Sequence, residues 1–171
     1  RLRAIAKYGV GLDNIDLAYA ERQGIIVTKT VGANTGAVAE FAVALMLAVA
    51  RRVVATDRAC RQRDWSKANT IQLDNKVLGL IGLGSIGKAV VKKVAGFDMQ
   101  VIAYDTLPDR DFAGKYNVEY VELDKLLREA DFISIHLPLL DTTRNVISFR
   151  EFNLMKQTAV LINTARGGIV D

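Results

Sequence analysis

Val77-Leu78-Gly79-Leu80-Ile81-Gly82-Leu83-Gly84-Ser85-Ile86-Gly87 is the stretch that decides how this chain folds. It opens with an apolar run of strand length. Gly82, Gly84 and Gly87 then follow at GxGxxG spacing, and Ile86, Ala89, Val90, Val94 and Phe97 mark one face of a helix. Three glycines within six residues are a weak signal alone; a strand entering the turn and a helix leaving it supply the context that gives it meaning. In that context each glycine has a mechanical task. Gly82 permits the tight turn, Gly84 lets a pyrophosphate approach the backbone, and Gly87 allows the helix to pack close to the strand. The amides of Ser85 and Ile86 fall at the helix amino end, where unpaired N–H groups and the helix dipole favour an anion. No basic side chain lies inside the turn, and none is needed.

Working downstream, the strand Gln100–Tyr104 ends at Asp105, at about the 20-residue offset where an acid can accept hydrogen bonds from the adenosine ribose. A carboxylate there repels a 2′-phosphate, so NAD is expected rather than NADP, unless Arg110 folds back beside it. A surface aspartate closing a strand is the alternative, which the βαβ context disfavours, and methyltransferases also pair a glycine-rich turn with a ribose-binding acid. Further strands are expected at 118–121, 132–136 and 159–162, and helices at 86–97, 123–130 and 149–155. Regular alternation with near-continuous apolar strands implies a parallel sheet covered on both faces. Right-handed crossovers make it a doubly wound α/β sheet. There is no internal repeat.

Upstream, Leu2 to Val10 reads as a short buried strand, Leu17 to Gln23 as a helix stopped at Gly24, and Ile25-Ile26-Val27 as a second strand. These are β-α-β pieces with no sheet of their own to complete. Asn34 or Thr35 caps the longest helical signal, in which Glu40 sits early and Val38, Phe41, Ala42, Leu45, Met46, Val49 and Val53 form a wide apolar stripe. Its Leu-Met face is expected at an interface with a second subunit, which makes a homodimer the expected assembly. Trp65 to Asn75 reads as a loop.

Composition closes off several function classes. The 171 residues are half apolar and a quarter charged, with a net charge of +4. The densest basic stretch, Arg51, Arg52, Arg58, Arg61 and Arg63, is interrupted by Val53, Val54, Ala55 and Asp57, so it reads as a solvated helix face and not a nucleic-acid contact. The apolar run Phe41 to Ala50 is too short to span a bilayer. Cys60 is the only cysteine, which points to a reducing, cytoplasmic setting, and with His136 it makes up all the soft ligands, so no metal site is expected. Opening on Arg1-Leu2-Arg3 without an initiator methionine, the chain is expected to be an internal piece of a longer protein.

Five motifs, in order, resemble the D-isomer-specific 2-hydroxyacid dehydrogenase family. They are Gly9-Val10-Gly11-Leu12-Asp13-Asn14-Ile15-Asp16; Ala33-Asn34 leading to Val38-Ala39-Glu40; the glycine turn; His136-Leu137-Pro138-Leu139; and Met155-Lys156 followed by Leu161 through Asp171, with Asn163-Thr164-Ala165-Arg166-Gly167-Gly168 at its centre. The resemblance implies a Rossmann-like NAD-binding domain over residues 33–171, incomplete at its carboxyl end, preceded by an edge fragment, residues 1–32, of a flavodoxin-like substrate domain. It implies hydride transfer between NAD and a small D-2-hydroxy acid or 2-oxo acid, with 3-phosphoglycerate among the candidates.

In such enzymes the backbone at Val10 and Gly11 receives the substrate carboxylate, and Arg166 is the catalytic clamp on carboxylate and reacting oxygen. Leu137, Pro138, Thr164, Ala165 and Arg166 join Gly82, Gly84, Ser85, Ile86, Gly87 and Asp105 in holding the cofactor. A planar, permanently charged guanidinium suits the clamp. His136 ends an apolar strand and reads as a hydrogen-bonded structural residue, while Asp13 and Asp16 read as turn and helix caps. The family's acid–base glutamate and histidine are expected beyond Asp171, so this chain alone is expected to turn over negligibly. An NAD-sensing scaffold or co-repressor on the same fold is the competing function, and a methyltransferase, disfavoured by the Arg166 segment, is a third.

Overall fold

A computed structural model describes residues 1–171. Seven strands form two parallel sheets. In the smaller sheet, β1 (Ala4–Lys7) pairs with β2 (Ile26–Lys29) across the helix α1 (Leu17–Arg22). The chain then builds two helices, α2 (Thr35–Ala50) and α3 (Val53–Arg61). The larger unit runs β3 (Val77–Ile81), α4 (Ser85–Val94), β4 (Gln100–Tyr104), α5 (Arg110–Tyr116), β5 (Val118–Tyr120), α6 (Leu123–Glu129), β6 (Phe132–Ile135), α7 (Phe149–Leu154) and β7 (Val160–Asn163). Its five strands lie in the order β5-β4-β3-β6-β7, every pairing parallel.

The chain winds outward from β3 to β5, returns across the sheet to β6, and continues to β7. This is the doubly wound topology, and the order reverses between β3 and β6. A crevice therefore opens beyond their carboxyl ends, at Ile81 and Ile135.

Side chains that alternate along each strand fill two cores. Leu78, Leu80, Val101, Ala103 and Phe132 pack with Val90, Val91 and Val94 of α4 and with Ala39, Ala42 and Met46 of α2. On the opposite face Ile81, Ile102, Ile133 and Ile135 pack with Leu126 and Leu127 of α6. Burying one such aliphatic side chain contributes about 1.5–3 kcal/mol. Gly79 lets α6 settle directly on β3, since a Cβ there would stand 2.6 Å from Leu126 Cδ2 and 3.0 Å from Ala130 Cβ. No helix is long and apolar enough to cross a membrane.

Four local readings need correction. The long helical stripe does not continue to Val53: Arg52 takes a left-handed conformation (φ 52°), which separates α2 from the exposed α3. Within α2, Met46 turns into the core against α4 instead of lying on an open face, and Glu40 pairs with Lys93 of α4 at 2.7 Å instead of serving the helix dipole. The amino-terminal strand spans only Ala4–Lys7 and is half exposed, because a two-stranded sheet has no central strand to bury. The helix α5 was not foreseen. It is capped by Asp109, whose side chain accepts from the Phe112 N–H, and it ends at Asn117 in the left-handed region.

Candidate active site

The turn after β3 has the geometry its glycines require. Gly82 sits at φ 96°, where an L side chain is strained, and a Cβ there would also press to 3.0 Å on the His136 carbonyl group. A Cβ on Gly87 would run into the Gly82 carbonyl oxygen. Gly84 differs from both. It occupies the N-cap position of α4 with an ordinary φ of −73°, no side chain caps the helix, and a Cβ would meet nothing within 4 Å. The protein has no steric need for glycine there. The space beside it, facing the amides of Ser85 and Ile86, is where an anion fits.

Asp105 stands at this turn, with a task the sequence reading did not include. Its Oδ2 accepts from the Leu83 main-chain N–H at 2.7 Å and its Oδ1 from the Leu107 N–H at 2.9 Å. The carboxylate thus braces the glycine turn, while each oxygen keeps a lone pair for a further donor.

Below the turn, segments distant in sequence enclose a cleft of about 340 Å³. Gly84, Ser85 and Ile86 face Leu137 and Pro138 beyond β6, and Thr164, Ala165 and Arg166 beyond β7. Val10 and Gly11, together with Val31, Gly32, Asn34, Thr35 and Val38, close the other side. The expected substrate pair, Val10 and Gly11, and eight of the expected cofactor residues therefore share one cavity. Gly82, Gly87 and Asp105 do not line it: the two glycines shape the turn, and Asp105 reaches it only through its bond to the Leu83 N–H.

Val31, Gly32, Asn34, Thr35 and Val38 line the cleft although the sequence reading assigns them no site role; the Ala33-Asn34 motif leading to Val38 is the available signal. Asn34 occupies the N-cap position of α2 without making a side-chain cap bond.

Arg166 is held from several sides. The Asn163 side chain brackets the turn, donating to the Arg166 carbonyl at 2.8 Å and accepting from the Ala165 N–H at 3.0 Å. Arg166 Nη1 donates to the Ala165 carbonyl, and Nε donates to Asp13 Oδ2, both at 2.8 Å. Asp13 is therefore an ion-pair partner, not the turn cap it was read as; Asp16 does cap α1, accepting from the Tyr19 N–H. The arginine holds the Asp13 carboxyl below its ordinary range, chiefly by donating that hydrogen bond. His136 Nε2 shares a 3.0 Å hydrogen bond with Ser134 Oγ, and burial pushes its pKa down to about 4. It is neutral at physiological pH. The buried His136 Nδ1 and Thr164 Oγ1 have no partner within the chain.

Residues 43–171 match the family described as D-isomer specific 2-hydroxyacid dehydrogenase, NAD binding domain. The chain belongs to this family. Among curated 2-hydroxyacid dehydrogenase relatives, a glyoxylate reductase from Korarchaeum cryptofilum is 44% identical over the whole chain and 53% of its own length. A D-3-phosphoglycerate dehydrogenase from Methanocaldococcus jannaschii is 40% identical over the whole chain and 33% of its own length. The structure of a D-lactate dehydrogenase from Aquifex aeolicus, complexed with NAD and lactic acid, superposes with a TM-score of 0.90 at 35% identity, covering 100% of this chain and 52% of that one. The chain spans about half the length of the glyoxylate reductases it matches. NAD is the cofactor of this dehydrogenase domain, and the open cradle at Gly84 and the acid at Asp105 fit its diphosphate and ribose.

Proposed function

We propose that this chain is the cofactor-binding part of an NAD-dependent reductase of small 2-oxo acids, with residues 1–32 contributed by a substrate domain and residues 33–171 forming the NAD-binding domain. One observation carries the reading: Arg166, leaving the carboxyl end of β7, stands against Gly11 in the same cleft as the free amides of Ser85 and Ile86.

The bound nicotinamide supplies or accepts the hydride. Main-chain amides at the start of α4 hold the diphosphate without a competing cation. Asp105 receives the ribose hydroxyls and disfavours a 2′-phosphate. Leu137, Pro138, Thr164 and Ala165 wall the nicotinamide end. Val10 and Gly11 offer their backbone to the substrate carboxylate. Arg166 pairs with that carboxylate and stabilises the negative charge that develops on the carbonyl oxygen as it is reduced. His136, neutral and bonded to Ser134, holds the β6 end and is not the proton donor.

Glyoxylate or a similarly short 2-oxo acid is the substrate we favour, with 3-phosphoglycerate as the finer alternative. The glyoxylate and phosphoglycerate enzymes cited above support the class. Exposed Phe41 and Val49 on α2 support pairing of two copies through that helix, and the single cysteine suits the cytoplasm.

The test is a turnover screen of the full-length protein with NADH against glyoxylate, hydroxypyruvate, pyruvate and 3-phosphohydroxypyruvate, run beside Arg166→Ala. Saturable NADH oxidation with one or more of them, reduced in the variant to a small but measurable residual rate, is expected. NADH binding without turnover on any 2-oxo acid would move the assignment to a cofactor-sensing scaffold.

A further inference from the structure

We infer that Asp13 is a positioning residue for Arg166: its carboxylate takes the Nε edge of the guanidinium and so fixes which edge is left for the substrate carboxylate. The inference rests on the reading of Arg166 as the carboxylate clamp. A guanidinium has five N–H donors in one plane, and here three contacts fix that plane. Nε is tied to Asp13 at 2.8 Å, Nη1 is tied back to the Ala165 carbonyl at 2.8 Å, and Nη2 lies so close over Gly11 that no side chain fits between them. Nη2 makes no hydrogen bond within the chain, and Gly11 and Arg166 both line the cleft. The turn after β1 therefore does two things at once. Gly11 gives the guanidinium room, and Asp13, two residues on, sets its rotation.

The pair does little for stability. Asp13 is 54% exposed and Arg166 42% exposed, and ion pairs in such settings contribute little to folding. Its value is geometric, and the sign of its removal separates geometry from charge. Losing a carboxylate beside the arginine makes the cleft more positive, so Coulomb attraction alone predicts tighter binding of a substrate anion. Loss of orientation predicts weaker binding.

The test uses the full-length enzyme with NADH and glyoxylate, comparing Asp13→Asn, Asp13→Glu, Arg166→Ala and the double variant Asp13→Asn/Arg166→Ala. Asp13→Asn is expected to lower kcat/KM by about 10- to 100-fold, mainly through KM, with NADH affinity unchanged. Asp13→Glu, which keeps the charge but shifts it by one methylene, is expected to fall between Asp13→Asn and the parent. In the Arg166→Ala background Asp13→Asn is expected to change the rate by no more than about twofold, because its effect passes through the arginine.

An Asp13→Asn enzyme with unchanged or lower KM overturns the inference, as does a double variant whose loss is the product of the two single losses. Should Asp13→Asn fold poorly, full parental activity in Asp13→Glu overturns it equally. An Arg166→Ala enzyme with parental kinetics removes the clamp itself, and that failure is recognisable whatever the Asp13 variants do.

Discussion

Gly84→Ala separates what the fold needs from what the ligand needs. At φ −73° and ψ −160° alanine is sterically allowed, and the new methyl would meet no atom of the protein within 4 Å. Two small effects on stability oppose each other. Alanine restricts the unfolded chain, worth about 0.4–1 kcal/mol in its favour, while losing glycine from an N-cap costs a similar amount, roughly 0.5–1 kcal/mol. The melting temperature should scarcely move. The methyl instead occupies the approach to the Ser85 and Ile86 amides. Losing one hydrogen bond to a charged oxygen costs about 1.5–3 kcal/mol, which corresponds to roughly a 10- to 150-fold weaker Kd for NADH. The control is Gly87→Ala, whose methyl collides with the Gly82 carbonyl oxygen; overpacking of that kind costs about 1–3 kcal/mol and should lower the melting temperature by roughly 2–10 °C. Thermal denaturation and a fluorescence titration with NADH read both quantities. A Gly84→Ala protein that binds NADH within twofold of the parent, or that melts like Gly87→Ala, refutes the placement of the diphosphate at this turn.

Three further outcomes are expected. Gly79→Ala should destabilise the protein by about 1–3 kcal/mol in urea unfolding, because its methyl drives α6 off β3 at Leu126 and Ala130; an unchanged midpoint contradicts the close packing. Asp105→Ala should weaken NADH binding and also lower stability by about 1 kcal/mol, since the Leu83 N–H loses its acceptor, and the NADH-over-NADPH preference should shrink; a stability change without any change in cofactor affinity would leave Asp105 only its bracing role. His136 has a folded pKa of about 4 against an ordinary 6.5, so the unfolded state binds its proton first: stability is fully present above pH 6.5 and is lost as pH falls toward 4, by about 2 kcal/mol at pH 5. Urea midpoints at pH 7.5 and 5 should show that loss, and His136→Asn should flatten it; an equal slope in the variant assigns it elsewhere.

The parts of the fold legible in sequence are those where local chemistry and long-range packing ask for the same residue. From Val77 to Asp105 each strand is a short apolar run, α4 carries an apolar face, and Gly82 and Gly87 sit where the backbone requires glycine, so the central unit could be read directly. The split between α2 and α3 was hidden because Arg52, an ordinary helix former, takes the left-handed conformation without a glycine or proline to mark it. Only seven residues long, α5 offers too few turns for a periodic signal, although Asp109 is a standard cap. The Asp13–Arg166 pair was beyond any local argument: its partners lie 153 residues apart, and Asp13 stands in a turn where aspartate is common for reasons of its own. Spacing put Asp105 at the end of β4, but its bond to Leu83 depends on the register of β3 against β4, which no spacing rule reveals.

On the proposed reading the cleft would handle two anions by different means, and the difference has a physical consequence. At the glycine turn a diphosphate would meet only main-chain amides, whereas at the far end Arg166 is the one charged side chain lining the cavity. A second free cation near the turn would compete for the substrate carboxylate and allow it to bind at the wrong end. Lys88, one turn into α4, is the residue placed to do so, and it is occupied: its ammonium pairs with Asp109 and lies 5.4 Å from the centre of the Phe112 ring. The unforeseen α5 carries that aromatic ring, and Asp109, its own N-cap, supplies the carboxylate. Its presence compensates Lys88, and on the proposed reading this would leave the carboxylate to the arginine and the diphosphate to the helix.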